Sequence, residues 1–252
     1  MQPGAGRQDA GMYRHHLLSR ILQDRDYGLI QSACGALMLL GLSALPAQAQ
    51  QEATATVWRM GDTVHYDGYM DADAIEHVRF HAGRGAHVLS ISSRGGDVEL
   101  GMALGNVVAQ HGMDVEVRDV CLSSCANYVF PAGKRKLLQR HSLLGWHGGV
   151  LQDMGDSIPP EARQQYQDYV QRVAPLERAF FQRIGVDQAS TTWGQRPEFA
   201  RYRDCIGWSY SLDMMRRFGI EQVRVQGGKR WQPPASFRGR CVFHIDAPRL
   251  AK

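Results

Sequence analysis

Residues 120–149 read VCLSSCANYVFPAGKRKLLQRHSLLGWHGG, and the interpretation of this 252-residue chain starts from them. Ser124 opens a run of small and apolar residues that predicts a buried helix. His147 follows after a short basic turn and an apolar, strand-like segment. A hydroxyl and an imidazole that two neighbouring elements present together are the nucleophile and the base that acyl transfer requires.

A glycine turn precedes this stretch. Residues 93–97, SRGGD, lie between a strand-like and a helix-like pattern. Such a turn can direct backbone N–H groups at a developing oxyanion. Plainer explanations also fit the residues: Ser123 or Ser124 as a helix N-cap, the glycine pair as an ordinary tight turn, and His147 as a core histidine bonded to backbone.

Apolar periodicity predicts alternating strands and helices before residue 120. We expect a hairpin of strands 53–59 and 63–66, then a helix of about ten residues capped by Asp71 with Ile75, Val78 and Phe80 inward. A buried strand at 87–92, a helix at 99–111 and a strand at 113–120 follow. This alternation predicts an α/β fold with a parallel sheet and right-handed crossovers.

The pattern changes after His147. A loop at 148–160 leads to a long amphipathic helix at 161–184, which we expect to be kinked or broken at Pro175. An irregular segment at 185–203, a helix at 211–218 and short strands at 221–225 and 241–245 complete the prediction. We expect one domain, residues 50–252.

Residues 29–49, LIQSACGALMLLGLSALPAQA, predict export. This apolar run is interrupted by glycine and proline and ends in the small-x-small sequence Ala47-Gln48-Ala49. Residues 1–49 are therefore predicted to be a signal peptide cleaved after Ala49, which places residues 50–252 in the periplasm. A retained membrane anchor facing the periplasm is the alternative, and Met12 is an alternative start.

Four cysteines remain after this cleavage: Cys121, Cys125, Cys205 and Cys241. An even number in an exported chain predicts disulfides, and we expect Cys121 or Cys125 to pair with Cys205. A zinc site is not expected, because no second closely spaced ligand pair accompanies the first two cysteines. His77 and His81 are interpreted as a solvated helix face rather than a metal site.

Charge and motifs limit the partners. The net charge of +4 is mild, and the basic patches are short and lack interleaved aromatics, so no nucleic-acid partner is expected. The chain contains no Gly-x₄-Gly-Lys-Ser/Thr sequence, so no internal ATPase is expected. No cofactor is expected either.

Four short motifs in order resemble the proteolytic subunit of the Clp protease. They are ISSRGGDV at 91–98, CLSSCA at 121–126, AGKR at 132–135 and Trp-His at 146–147. They are more similar still to the exported, ATPase-independent relatives within the ClpP/crotonase superfamily. The likeness covers residues 54–220 and implies a fold of stacked strand-strand-helix units.

The same resemblance implies roles for individual residues. Ser124 matches the nucleophile, His147 the base, and Gly96 and Cys125 the residues whose N–H groups form the oxyanion hole. The third member of the triad departs from the family pattern: Asp204 is the predicted acid and Glu198 the reserve. A Ser-His dyad or a degenerate site is the alternative.

The implied activity is that of an exported serine peptidase that works without an ATPase partner, on peptides or loosely folded chains. The resemblance also implies a homo-oligomer, with helix 161–184 as the contact surface. One rival is a non-catalytic protein that keeps the peptide groove for binding or scaffolding. A second rival is a crotonase-like acyl-thioester enzyme, against which export and the Ser124/His147 pair argue.

Overall fold

A strand hairpin opens the part of the chain that the computed structural model describes, residues 55–247. The predicted signal peptide and its cleavage site lie outside these residues. Within them, the strands are β1 (Thr56–Met60), β2 (Thr63–Asp67), β3 (Val88–Ser93), β4 (Asp114–Leu122), β5 (Lys136–Leu138), β6 (Leu143–Gly145), β7 (Gly207–Tyr210), β8 (Val223–Val225), β9 (Ser236–Phe237) and β10 (Arg240–Ile245).

Helices separate most of these strands. The α-helices of the described chain are α1 (Ala72–Ala82), α2 (Val98–Gln110), α3 (Phe130–Ala132), α4 (Arg163–Ile184) and α5 (Leu212–Arg217). A π-helical turn, Cys125–Val129, runs directly into α3. We call these two pieces together, residues 125–132, the site helix. Within residues 55–247, no helix has the length and apolar character needed to cross a bilayer.

The main sheet has the strand order β1-β2-β3-β4-β5-β8, and β6 also pairs with β4. The β1–β2 pair is antiparallel, as the predicted hairpin requires, whereas β2–β3, β3–β4, β4–β5, β4–β6 and β5–β8 are parallel. The predicted α/β class with a parallel sheet is therefore confirmed. A parallel arrangement places the carboxyl ends of β3, β4 and β6 at one edge of the sheet.

Helix α1 forms for the reasons predicted, with one exception. The Asp71 side chain caps it by accepting from the Ala74 N–H at 2.9 Å, and Ile75 and Val78 are buried. The prediction that Phe80 points inward is wrong, because its side chain is 51% exposed. The Arg84 guanidinium lies 3.6 Å from the centre of the Phe80 ring and covers it from solvent on that side.

Helix α4 runs without a break through Pro175, so of the predicted kink or break, the break is wrong. Proline removes one N–H from the helix, which leaves a single carbonyl without its intrahelical partner. The buried face of the helix includes Val173, Phe180 and Phe181 on both sides of the proline. Burial of this face outweighs the missing hydrogen bond.

A second, smaller sheet was not predicted in full. Within residues 55–247 it consists of β7 parallel to β10 and β9 antiparallel to β10. The sequence analysis predicted β10 but assigned no strand to the residues of β7 and β9. An isolated bridge between Trp146 and Trp208 connects β7 to the residue after β6.

The predicted disulfide pairing is wrong. In the described chain the disulfides are Cys121–Cys125 and Cys205–Cys241. Cys125 lies one turn beyond the end of β4, which brings it back to Cys121 with a Cα–Cα distance of 5.2 Å. Cys205 and Cys241 meet because β7 and β10 are paired just beyond them. Disulfides of this kind are compatible with an exported protein.

We expect Cys205→Ser/Cys241→Ser to lower the free energy of unfolding by about 4 kcal/mol, since the cross-link closes a long loop in the unfolded chain. The residues it joins are 36 apart. Urea unfolding of the variant against wild type measures this difference. Equal midpoints and slopes for the two proteins would contradict it.

Lys136 is a buried cation at the opposite edge of the sheet, where β5 begins. Its side-chain nitrogen donates to the Glu221 carbonyl oxygen at 3.0 Å, and the residue is 6% exposed. Burial lowers the pKa of Lys136 from its ordinary value to about 8, although the negative charge of Glu221 acts in the opposite direction. The folded protein therefore releases this proton at lower pH than the unfolded chain does.

Because the unfolded chain keeps the Lys136 proton up to about pH 10.5, stability gains from this group as the pH rises above 8. The penalty of the buried charge is fully present below pH 8. We expect the free energy of unfolding of wild type, compared with Lys136→Met, to rise by about 2 kcal/mol between roughly pH 7.5 and 9.5. Denaturant curves across this range test it; parallel pH profiles for the two proteins would refute it.

Candidate functional site

The pairing of β4 with β6 brings Ser124 and His147 to the same edge of the sheet. Leu122 is the partner of Gly145 in this parallel pair, and the Ser123 N–H donates to the Gly145 carbonyl at 3.0 Å. Ser124 and His147 each follow their paired residue by two positions. They therefore leave the carboxyl ends of adjacent strands side by side, as a nucleophile and its base must.

The hydroxyl of Ser124 is buried, which the sequence analysis did not expect. Ser124 is 1% exposed. Its Oγ donates to the Gly96 carbonyl oxygen at 2.7 Å and makes no N-cap hydrogen bond to the site helix. Ser124 thus occupies the N-cap position without capping the helix through its side chain. Ser123 has a positive φ of 56°, so the turn that presents Ser124 is strained.

The glycine turn after β3 lies directly against this serine. Gly95 and Gly96 have φ angles of 90° and 138°, which other residues rarely adopt. A Cβ on Gly95 would stand 2.5 Å from the Leu122 carbonyl oxygen and 2.8 Å from the Ser124 nitrogen. Glycine is therefore required at this position for both its conformation and its close approach.

One peptide of the turn has a fixed orientation. The Met70 N–H donates to the Gly95 carbonyl at 2.8 Å, and the Gly95 N–H donates to the Ser93 hydroxyl at 3.1 Å. Because the carbonyl and N–H of a trans peptide point in opposite directions, the Gly96 N–H points away from Met70. Within residues 55–247 no acceptor satisfies this N–H. It is available as an oxyanion donor, the role predicted for it.

Cys125 follows the serine and is fully buried. Its disulfide with Cys121 spans Ser124, so the strand end and the first turn of the site helix are cross-linked around the hydroxyl. Cys121 is also the register partner of Ser93 in β3 and of Leu144 in β6. The N–H of Cys125 belongs to the first turn of the site helix, where backbone donors have no intrahelical carbonyl to reach.

His147 is exposed, and its backbone is packed against β7. A Cβ on Gly207 would stand 2.2 Å from the Trp146 carbonyl oxygen and 3.2 Å from the His147 Cβ. The position of β7 that touches the histidine therefore has no room for a side chain, including that of an acid. The Gln195 side-chain amide donates to the His147 carbonyl at 3.4 Å.

The two predicted acids lie in the segment before β7. Asp204 is exposed and immediately precedes the disulfide-bonded Cys205. Glu198 forms an ion pair with Arg196 at 3.0 Å, and both side chains are about half exposed. The role of either residue as the third member of a triad stays a prediction.

Two buried polar residues near His147 were missed by sequence reasoning. The Asn127 side-chain amide, on the site helix, donates to the Gly148 carbonyl at 2.6 Å. Glu177, on α4, is 0% exposed and accepts from the Tyr128 hydroxyl at 2.6 Å and the Val150 N–H at 3.2 Å. Burial and the nearby Glu177 raise the pKa of Tyr128, so this hydroxyl keeps its proton and remains a donor.

A sequence signal for Glu177 existed. It lies four residues after Val173 and three before Phe180, on the apolar face of an amphipathic helix. A carboxylate at such a position is uncommon unless it is paired in the interior. Across residues 55–247, no group of three or more His, Cys, Asp or Glu side chains is arranged to hold a metal ion.

No family model and no curated protein sequence matches the chain. Several solved structures do. An enoyl-CoA hydratase from Mycobacterium avium subsp. paratuberculosis K-10 matches at 12% identity and a TM-score of 0.28, over 35% of this chain and 45% of that one. A methylmalonyl-CoA decarboxylase matches at 6% identity and a TM-score of 0.28, over 35% of this chain and 46% of the decarboxylase. Pseudomonas aeruginosa DspI matches at 9% and 0.28, over 39% and 51%.

The chain thus spans about half the length of the solved structures it matches. Likenesses this distant say nothing about activity or substrate. The architecture itself, a parallel sheet whose strands alternate with helices, is α/β and is consistent with the ClpP/crotonase type.

Gly101 on α2 lets the site helix approach. A Cβ there would stand 2.7 Å from the Ser124 Cβ and 2.8 Å from Tyr128 Cδ2. We expect Gly101→Ala to lower the free energy of unfolding by about 1–3 kcal/mol, because overpacking outweighs the gain in helix propensity. Thermal unfolding measures the change.

Gly83→Ala is the matched control for this substitution. Gly83 has a φ of −63°, and a Cβ there would meet its nearest neighbour at an ordinary 3.5 Å. We expect no loss of stability in this variant. A Gly101→Ala protein as stable as Gly83→Ala would show that α2 and the site helix are not in tight contact.

Proposed function

We propose that this protein is a serine hydrolase that forms an acyl-enzyme on Ser124, with His147 as general base, and that it cleaves peptides or unfolded chains outside the cytoplasm. The observation that carries the proposal is the in-register departure of Ser124 and His147 from β4 and β6. The glycine turn against Ser124 and the unpaired Gly96 N–H supply the third part of an acyl-transfer site.

In the proposed reaction His147 removes the hydroxyl proton while the Ser124 oxygen attacks the acyl carbon. The carbonyl double bond opens and its electron pair moves to the oxygen, which the Gly96 and Cys125 N–H groups stabilise. The imidazolium then protonates the leaving amine, and the scissile bond breaks. Water, deprotonated by the same imidazole, hydrolyses the ester and restores Ser124.

Ser124 is in a resting arrangement for this chemistry. Its proton is directed at the Gly96 carbonyl and its side chain is buried. Attack requires rotation of the side chain toward His147 and entry of the acyl group between the serine and the glycine turn. Removal of one oxyanion donor typically costs about 10²–10³ in turnover, so the turn must keep its geometry through this change.

A non-catalytic peptide-binding or scaffold protein is the second candidate, and specific observations favour it. The serine hydroxyl donates its proton to a backbone carbonyl, that of Gly96. Asp204, the predicted acid, is exposed. In this candidate the groove at the sheet edge is kept while the chemistry is lost.

Reaction of the purified, disulfide-intact protein with a fluorophosphonate probe, measured by intact mass, separates the two. We expect one adduct on wild type and none on Ser124→Ala. Ser142→Ala is the matched control, because Ser142 is also 1% exposed and donates to a backbone carbonyl, that of Gln139 at 2.8 Å. It should label like wild type.

If wild type shows a cooperative thermal transition, and is therefore folded, but does not react with the probe, the hydrolase proposal fails and the binding protein is favoured. An adduct that persists in Ser124→Ala would place the reactive serine elsewhere in the chain.

A further inference from the structure

The four residues His147 to Val150 form the segment that carries the base, and it is held by side chains from two helices. At its far end, the Val150 N–H donates to Glu177 Oε1 at 3.2 Å. In its middle, the Gly148 carbonyl accepts from the Asn127 side chain at 2.6 Å. The first bond anchors the segment to α4 and the second anchors it to the site helix.

Three donors converge on the Glu177 carboxylate. Besides the Val150 N–H they are the Tyr128 hydroxyl at 2.6 Å and the Gln188 side-chain amide at 2.6 Å. A carboxylate that is 0% exposed is costly unless its oxygens are satisfied in this way. Tyr128 belongs to the site helix, so Glu177 couples the base segment to the helix that carries Ser124.

The segment approaches Glu177 closely enough to exclude a side chain at position 149. A Cβ on Gly149 would stand 2.7 Å from Glu177 Oε1 and 2.8 Å from Thr191 Oγ1. The glycine lets the backbone lie directly on the carboxylate. The segment therefore has little freedom to move relative to α4.

Asn127 has one further feature. Its side chain is 2% exposed, and its Oδ1 has no hydrogen-bond partner among the described residues. An orphaned buried acceptor is uncommon in a folded protein.

We propose that Glu177 and Asn127 are positioning residues that hold residues 147–150 against the site helix and so orient the His147 imidazole toward Ser124. They act through the backbone that follows the base, at Gly148 and Val150, whereas a triad acid would act on the imidazole itself. The proposal rests on the proposed function for its catalytic meaning, but the bonds that define it can be measured without activity.

The first measurement is amide hydrogen exchange at Val150 in the full chain, which reports the Glu177 bond directly. We expect Glu177→Gln to speed exchange at least about tenfold, because an amide offers one acceptor oxygen where three donors compete. Glu116→Gln is the matched control, because Glu116 on β4 also accepts from two side chains, Ser90 at 3.0 Å and Gln139 at 3.3 Å. This substitution should leave the exchange rate of the Val150 amide unchanged.

The second measurement is the inactivation of Ser124 by the fluorophosphonate, resolved into its binding constant and its chemical rate constant. We expect Glu177→Gln and Asn127→Ala to lower the rate constant at least about tenfold and to leave the binding constant within a factor of about two. Asn106→Ala, which removes only an exposed contact with Arg183, is the control and should match wild type.

The two proposals fail differently. A wild type that does not react with the probe removes the hydrolase function, while Val150 exchange and the His147 ring resonance in Asn127→Ala and Glu177→Gln still decide the positioning. The positioning role would be overturned if both variants kept the wild-type exchange rate at the Val150 amide and the wild-type chemical shift of the His147 ring. It would also be overturned if the variants weakened probe binding as much as they slowed the chemical step. If Glu177→Gln does not fold, the Asn127→Ala result decides alone.

Discussion

The constraint on which the site depends is that β4 takes two partners in succession along the same side. Its first half pairs with β5, through Val115–Val117, and its last residues pair with β6. A strand of nine residues is long enough for both. The chain crosses from one pairing to the other through residues 139–142. Without that second pairing, His147 would have no reason to emerge beside Ser124.

Near the carboxyl ends of β3, β4 and β6, glycines allow neighbouring elements to approach more closely than side chains would permit. The turn at Gly95 meets the serine, Gly101 brings α2 onto the site helix, and Gly149 brings the base segment onto Glu177. Each of these contacts is closer than a side chain permits. Backbone from separate elements is thereby packed around one hydroxyl, which produces a well-defined site and also leaves Ser124 with 1% exposure.

Buried charges occur at both edges of the main sheet, and the fold treats them differently. Lys136 donates to the Glu221 carbonyl, and burial lowers the pKa of its ammonium because this contact compensates poorly for the lost hydration. Glu177 has three donors and belongs to a hydrogen-bonded network that joins two helices and a loop. Replacing an isolated buried ion with an apolar side chain is often neutral or stabilising. Removing one member of a satisfied network leaves the remaining donors buried without a hydrogen-bond partner, which is destabilising.

Local patterns predicted the local elements well. Asp71 and the apolar spacing of Ile75 and Val78 predicted α1, and alternation predicted the hairpin and the strands up to β4, because these signals depend on neighbouring residues alone. The failures were contacts that depend on tertiary packing. The exposure of Phe80, the continuity of α4 at Pro175 and the pairing of the cysteines are decided by which elements meet.

The candidate site divides in the same way. Ser124, His147 and the glycine turn were predicted because each belongs to a short motif. The buried state of Ser124 was not, since it results from α2, β3 and the site helix converging. Glu177 was missed although its charge on an apolar helix face was visible, because its meaning depends on Tyr128 and Val150, which lie 49 and 27 residues away.

Two barriers separate an enzyme from a binding protein on this scaffold: the side-chain torsion of Ser124 and the access of substrate to its hydroxyl. The bond from Ser124 to the Gly96 carbonyl is a neutral hydrogen bond, of a kind whose net contribution is about 1 kcal/mol. A rotation toward His147 that costs this bond alone leaves the reactive arrangement populated at roughly one part in five, a reduction in rate that an enzyme tolerates. Access is the larger barrier. An acyl group must displace packed backbone around a buried hydroxyl, and the disulfide across Ser124 limits how far the strand end and the site helix can separate.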